Sequence, residues 1–179
     1  MITTAEKKKW TTRDMAYVGI FAVLIAVCAW ISIPTTVPFT MQTFGIFAAV
    51  GLLGGRRGSM AVLVYILLGA VGLPVFAGFS GGAGMLLSTT GGYIVGFWAS
   101  ALVYWLITAH MGTRPAVMAM AMVAGLIACY ALGTVWFMQV YAQSAGPVGL
   151  MTALGWCVFP FVVPDLCKIA LALWVSCKL

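Results

Sequence analysis

The sequence predicts an all-α protein, a single polytopic membrane domain over residues 1–179 with about six transmembrane helices. The first observation behind this prediction is composition, since 64% of the residues are hydrophobic and 7% are charged, against roughly 25% charged residues in soluble domains. The second is length, because a span and its connection take roughly 20 to 25 residues. The third is the placement of the basic residues, which becomes clear once the spans are assigned.

The first half of the chain predicts one long span and two short ones. The first span runs from Arg13 to about Ser32, because Pro34 disfavours helix in the residue before it. An uncharged connection then leads to spans from Met41 to Gly54 and from Ser59 to Gly72, separated by Gly54-Gly55-Arg56-Arg57-Gly58. Short spans interrupted by glycine are typical of helices that line a cavity and do not face lipid all round.

A long glycine-rich segment follows the third predicted span. It extends from Leu73 to Gly92, and its glycines at positions 78, 81, 82 and 84 oppose a continuous helix. We expect an outer loop between spans three and four. The segment suits either a lid or pocket wall, or a packed connector.

Three further spans complete the scheme. The fourth is predicted from Gly91 to about Ala109 and the fifth from Pro115 to about Tyr141. The sixth follows Gly146 and contains Pro160 and Pro164. These prolines predict either a kinked helix or one that begins only near Pro160.

The basic residues determine the predicted orientation. All but one of the Lys and Arg residues precede span one, separate spans two and three, separate spans four and five, or follow span six. They are Lys7, Lys8, Lys9, Arg13, Arg56, Arg57, Arg114 and Lys178. The other three connections carry none, so the positive-inside rule places both termini in the cytoplasm.

Asp165 and Lys168 carry opposite charges inside the last apolar run. An ionised side chain at membrane depth costs roughly 2.5 to 3.5 kcal/mol on insertion scales, which makes such residues candidates for function. Their spacing places them on one face of a helix. The pair either belongs to a binding pocket, or only neutralises itself and fixes the packing of its helix.

Gln42 and Tyr93 are further candidates, at the same predicted membrane level as the glycine-rich loop. The amide of Gln42 can donate and accept hydrogen bonds, although this residue is equally placed to cap span two. Tyr93 offers a ring and a hydroxyl group, although tyrosine also favours the membrane interface. Uncharged outer loops, a glycine-rich aromatic segment and a charge pair together predict a pocket that receives a small molecule from outside.

Enzyme functions find little support in these residues. The single histidine, His110, is predicted on the opposite membrane face from Ser80 and Ser88, so a serine nucleophile has no base. One histidine and three acidic residues do not suit a metal site. The sequence also contains no G-x-x-x-x-G-K-[ST] phosphate loop. A proton-coupled carrier that titrates Asp165, and a channel built by an oligomer, stay open.

Five ordered motifs resemble a known family. They are Gly54-Gly55-Arg56-Arg57-Gly58, the segment from Gly69 to Gly78, the loop from Ser80 to Gly84, Thr90-Gly91-Gly92-Tyr93 and Pro164-Asp165-x-x-Lys168. Together they are similar to the BioY family, the biotin-binding S components of energy-coupling factor (ECF) transporters. Thr89 departs from the pattern, since relatives commonly have proline there.

The resemblance implies high-affinity biotin binding and uptake across the bacterial plasma membrane. It implies that Asp165 binds the ureido N–H groups of biotin. Lys168 is suited to the ureido carbonyl, which we favour, or to the tail carboxylate. The residues implied around the rest of biotin are Gln42, Ser80, the backbone of Gly81 and Gly82, and Tyr93.

The resemblance also implies partners and a partner surface. The partners are an ECF coupling transmembrane subunit and a pair of ABC-type ATPases that hydrolyse ATP, so the chain itself needs no cofactor. Ala22 and Ala26 extend the resemblance, because S components of this group use small residues of helix one against the coupling subunit. Such spacing permits close helix approach, but it also arises by chance in alanine-rich helices. An S component for another vitamin and a solitary, ATPase-independent biotin carrier remain alternatives.

Overall fold

The computed structural model describes residues 10–33 and 39–178, which form helices and one short β-ribbon. The helices are α1 (Thr12–Trp30), α2 (Gln42–Leu53), α3 (Gly55–Val71), α4 (Ala83–Leu87), α5 (Gly91–Met111), α6 (Pro115–Ala145), α7 (Leu150–Cys157) and α8 (Phe159–Lys178). Strands β1 (Ser32–Ile33) and β2 (Phe39–Thr40) pair antiparallel, with Ser32 opposite Thr40. Two parts of the predicted topology lie outside the described residues. They are the basic residues Lys7, Lys8 and Lys9 and most of the first outer connection.

Four helices in this part of the chain are long and apolar enough to cross a membrane, namely α1, α5, α6 and α8. They agree with the predicted class, a mostly helical membrane protein. α2 has 12 residues, or about 18 Å at 1.5 Å per residue, and a hydrocarbon core is about 30 Å thick. The second helix is therefore short, as the sequence predicted.

The prediction that residues 54–58 form a connection between two spans is wrong. α2 ends at Leu53 and α3 begins at Gly55, so Gly54 alone separates them, with a φ of 78°. Gly58 lies in α3 against the backbone of Val50, where a Cβ would overlap the Val50 Cα. The glycines therefore serve a one-residue reversal and the close packing of two helices, which the pattern alone did not distinguish from a loop.

The glycine-rich segment is partly helical and is tied to α1 and α3. It contains a 3-10 helix, Ala77–Phe79, and then α4. The Gly82 N–H donates to the carbonyl oxygen of Gly69 in α3, with an N···O distance of 2.7 Å. Trp30 Nε1 donates to the Pro74 carbonyl at 2.8 Å, and the Trp30 ring stacks on Phe79 with 5.0 Å between centroids. The loop therefore covers one end of the helices.

The chain enters its last long helix through a break at Val158. α7 ends at Cys157 and α8 begins at Phe159, so the structure has the start near Pro160 that was one of two alternatives. Pro160 lies in the first turn, where a missing N–H leaves no helical acceptor unpaired. Pro164 lies inside the helix and removes one backbone hydrogen bond. Asp165 consequently lies about two turns from the beginning of α8.

Helices α5 and α6 pack antiparallel through small residues. These residues recur at every fourth position, as Gly92, Gly96 and Ser100 on α5 and Gly125, Cys129 and Gly133 on α6. Gly96 lies against Cys129, Gly125 lies against Ser100, and Gly133 lies against the Tyr93 ring. Small residues at this spacing let two helix backbones approach closely. Tyr93 is thereby held at the interface of the two helices.

Ala22 and Ala26 are 1% and 4% exposed and belong to the main hydrophobic core. Their small size serves the packing of α1 against the rest of this chain. Neither side chain is exposed in this structure, and their contact with a coupling subunit stays a prediction. The exposed face of the helix carries other residues, among them Ile20, Val23 and Val27.

We expect Gly58→Ala to lower the free energy of unfolding by about 1 to 3 kcal/mol, because the added methyl group overpacks the contact with the Val50 backbone. The measurement is thermal unfolding in detergent, followed by circular dichroism. Gly19→Ala is the matched control, since nothing lies within 4 Å of a Cβ at position 19 and alanine favours helix. Equal midpoints for the two variants would contradict the close packing of α2 and α3.

Candidate functional site

A cavity opens between the N-terminal halves of α2, α5 and α8, beside α6 and the glycine-rich loop. It encloses about 750 Å³ when the open solvent at its mouth is included. Much of the wall is apolar and comes from Phe76, Met85, Ile94, Phe97 and Phe161. The polar groups are concentrated around Asp165 and Lys168.

Asp165 is 3% exposed, and both of its carboxylate oxygens accept hydrogen bonds. Oδ1 accepts from Lys168 Nζ at 2.7 Å and from Thr43 Oγ1 at 2.9 Å. Oδ2 accepts from the Tyr130 hydroxyl group at 2.7 Å. Since these donors lie on α8, α2 and α6, the carboxylate connects three helices.

Lys168 is 6% exposed, and its ammonium group donates to three oxygen atoms. Besides Asp165 Oδ1, these are the backbone carbonyl of Thr40 at 2.6 Å and Thr43 Oγ1 at 3.1 Å. Nζ also lies 4.4 Å from the centroid of the Phe39 ring. An ammonium group has three N–H donors, so these acceptors account for all of them. Strand β2 thus supplies both a carbonyl group and an aromatic face to the buried charge.

Thr43 links the two charges, because its hydroxyl group donates to Asp165 and accepts from Lys168. A buried ion pair is tolerated when hydrogen bonds satisfy both partners, as they do here. The pair borders the cavity and also holds α8 against α2. Asp165 and Lys168 therefore take part both in the wall of the cavity and in the packing of α8 against α2.

Gln42 and Tyr93 line the same cavity, and both are buried. Gln42 Nε2 donates to the Tyr65 hydroxyl group at 2.8 Å, so its side chain turns to α3 and does not cap α2. The Tyr93 hydroxyl oxygen lies 3.2 Å from Thr134 Oγ1. With 7% exposure, Tyr93 is a residue of the helix interface and not of a membrane-facing belt.

Comparison with known proteins agrees with the predicted family. A model of the BioY family matches residues 4–179. The chain belongs to the BioY family. The biotin transporter BioY of Thermotoga maritima is 42% identical over 168 residues, which cover 93% of this chain and 95% of that protein. The biotin transporter BioY of Rhodobacter capsulatus is 36% identical over 169 residues, which cover 88% and 87%.

A crystal structure of the S-component for biotin from an ECF-type ABC transporter has the same fold. The TM-score is 0.82 at 24% identity, and the alignment covers 94% of this chain and 93% of that one. Members of this family are transporters and not enzymes, which agrees with the lack of catalytic groups anticipated from the sequence.

Within this BioY-family chain, Ser80, Gly81 and Gly82 are placed in the loop but not among the residues that line the cavity. Ser80 Oγ donates to the carbonyl of Ala77 at 2.7 Å, and Ala77 does line the cavity. Gly81 packs against the Leu73 carbonyl with no space for a side chain. Their contact with a ligand stays a prediction.

Sequence reasoning missed most of the polar groups around the charge pair. Thr43 directly follows Gln42, so its place in the second predicted span was a usable signal. Tyr130 lies within α6 without a charged neighbour or a glycine motif, and only the packing of α6 against α8 brings it to Asp165. Thr40 acts through its backbone carbonyl, which no side-chain pattern encodes.

The double variant Asp165→Leu/Lys168→Met should be more stable than either single variant. Removal of one partner leaves an uncompensated buried charge, which costs about 3 to 5 kcal/mol, whereas removal of both leaves none. Thermal unfolding of the four proteins forms a double-mutant cycle. Additive effects of the two substitutions would show that Asp165 and Lys168 are not energetically coupled.

Proposed function

We propose that the protein binds biotin and takes it up as the substrate-specific S component of an ECF transporter. The observation that carries this proposal is the buried Asp165–Lys168 pair in the wall of an apolar cavity, in a chain of the BioY family. The ureido ring of biotin presents two N–H donors beside one carbonyl acceptor. A carboxylate next to an ammonium group is complementary to that arrangement.

Asp165 is suited to receive a ureido N–H group without losing its present partners. A carboxylate has about four acceptor positions, and the contacts of Asp165 occupy two at Oδ1 and one at Oδ2. We therefore infer that Oδ2 accepts from the ligand beside Tyr130. The Tyr130 hydroxyl group, which lines the cavity, would then lie next to the ureido ring.

Lys168 differs because its three donors are already used. A ligand oxygen must replace one acceptor or share its proton, and Thr43 is the most distant of the three, at 3.1 Å. Nζ lies 2.7 Å from Asp165 Oδ1, so the two charges meet neighbouring atoms of one ligand group. This proximity favours the ureido carbonyl over the carboxylate at the far end of the biotin tail.

The apolar walls suit the remainder of biotin. Phe76, Met85, Phe97 and Phe161 offer aromatic and thioether surface to the sulfur ring and the aliphatic tail. Gln42 and Tyr93 border the same space. Ser80 and the backbone of Gly81 and Gly82 are proposed to reach the ligand from the loop, in which Ala77 already lines the cavity.

We also propose six spans, with the short α2 and α3 included and with both termini in the cytoplasm of a bacterial cell. The ends of the helices support this topology. Arg13 lies in the first turn of α1, Arg56 and Arg57 begin α3, Arg114 precedes α6, and Lys178 ends α8. These residues belong to helix ends remote from the cavity, so the cavity opens outward if they face inward.

Partners are part of the proposal. A coupling transmembrane subunit and two ABC-type ATPases would supply the energy, because the sequence has no phosphate loop of its own. The chain itself would bind the vitamin and the membrane lipid around it.

Asp165→Asn should weaken biotin binding at least tenfold, because hydrogen bonds to a charged group contribute about 1.5 to 3 kcal/mol. Isothermal titration calorimetry on the purified chain measures the affinity. Asp14→Asn makes the same chemical change in α1, near the end of α2 that is remote from Asp165. It should leave the affinity unchanged. Unchanged binding by Asp165→Asn would remove this residue from the site, and displacement of labelled biotin by riboflavin, thiamine or lipoate would indicate another vitamin.

Proteoliposomes that contain this chain alone should bind biotin and should not accumulate it. Accumulation should require the coupling subunit, the ATPases and ATP, since the purified chain has no energy source. Radiolabelled biotin inside the vesicles is the readout, with empty liposomes as the control. Accumulation by the chain alone, especially if it responds to a pH gradient, would instead establish a solitary proton-coupled carrier.

A further inference from the structure

We propose that a second cavity, remote from the first, binds the phosphate group of an anionic phospholipid. This cavity lies where the N-terminal turns of α1 and α3 meet the C-terminal ends of α2 and α5. It encloses about 740 Å³, its open mouth included. The residues that matter in its lining are Trp10, Asp14, Arg56, Arg57, Trp105 and Thr108.

The charged groups of this cavity attract an anion. Among the described residues that line it, two guanidinium groups, Arg56 and Arg57, oppose one carboxylate, Asp14. Asp14 is 7% exposed, and its Oδ2 accepts the Thr11 N–H at 3.0 Å. The carboxylate is therefore engaged with α1 and Arg57 and shielded from an incoming anion.

Both arginines are held in place before a ligand arrives. Arg57 Nη2 lies 2.7 Å from Asp14 Oδ1, and the Arg56 guanidinium carbon lies 5.1 Å from the centroid of the Trp10 ring. A guanidinium group has five N–H donors, and the salt bridge of Arg57 is made from one end of that group, whose side chain is 36% exposed. The planar donor pairs of arginine match phosphate oxygens in a two-point contact.

The surroundings favour a lipid over a soluble phosphate. α1 and α5, which provide two of the walls, are both candidate membrane spans, and the cavity lies at their ends. Trp10 and Trp105 flank it and are 39% and 40% exposed, and tryptophan is enriched at the level of lipid headgroups. Leu106, 61% exposed beside Trp105, offers a surface to an acyl chain. The proposed orientation would place the site in the cytoplasmic leaflet, where anionic lipids are concentrated.

The test is native mass spectrometry of protein released from nanodiscs that contain equal amounts of phosphatidylglycerol and phosphatidylcholine. The wild-type chain should retain phosphatidylglycerol preferentially. Arg56→Gln should reduce that retention about tenfold, because it removes charge-assisted hydrogen bonds to the phosphate, and Arg56→Lys, which keeps the charge but loses the paired donors, should reduce it by a smaller factor. Arg114→Gln is the control, because it removes the same charge at the same end, outside the cavity lining. Arg57 is left intact, since its removal would strand the buried Asp14.

Several results would overturn the proposal. Equal losses in Arg56→Gln and Arg114→Gln would show that net charge alone attracts the lipid. Displacement of phosphatidylglycerol by millimolar glycerol phosphate would assign the cavity to a soluble phosphate. Unchanged lipid retention together with lost co-purification of the coupling subunit would identify a protein interface.

A second measurement keeps the proposal testable if Arg56→Gln does not fold. The wild-type chain in detergent should unfold at a higher temperature with added phosphatidylglycerol than with added phosphatidylcholine, because a ligand of the folded state stabilises it. Identical midpoints with the two lipids would overturn the lipid assignment.

Discussion

The structure depends on the hydrogen-bonded ion pair between Asp165 and Lys168. A buried carboxylate and a buried ammonium group are tolerated when they pair with each other and accept or donate further hydrogen bonds. Those partners come from distant parts of the sequence: Thr40 lies on β2, Thr43 on α2 and Tyr130 on α6. The positions of these elements relative to α8 are therefore coupled to one electrostatic requirement.

Small residues allow the helices to meet that requirement. Gly58 lets α3 fold back along α2, and Gly96 and Gly133 let α6 approach α5. Phe76 packs on Gly69 and Tyr93 on Gly133, and both rings form part of the wall of the first cavity. The same contacts that stabilise the fold thus leave an apolar chamber beside the charge pair.

The two ends of the helices have different chemistry. The end with the first cavity combines the neutral Asp165–Lys168 pair with aromatic walls. This combination suits a ligand with little net charge at its ring. The opposite end collects arginines near tryptophan and suits anions at a membrane surface. α2 and α5 contribute residues to both cavities.

The sequence by itself determined the membrane class, the family and the placement of Asp165 and Lys168 on one helical face, because composition, motif order and helical periodicity are local properties. It also indicated Gln42 and Tyr93. Only the tertiary structure decided that Thr43 and Tyr130 join the carboxylate, that Gly54 alone turns the chain, and that Ala22 and Ala26 face inward. The contact from Thr43 to Asp165 spans 122 positions. Such a contact is set by how helices pack, and side-chain packing between distant segments leaves no periodic signal in the sequence of either one.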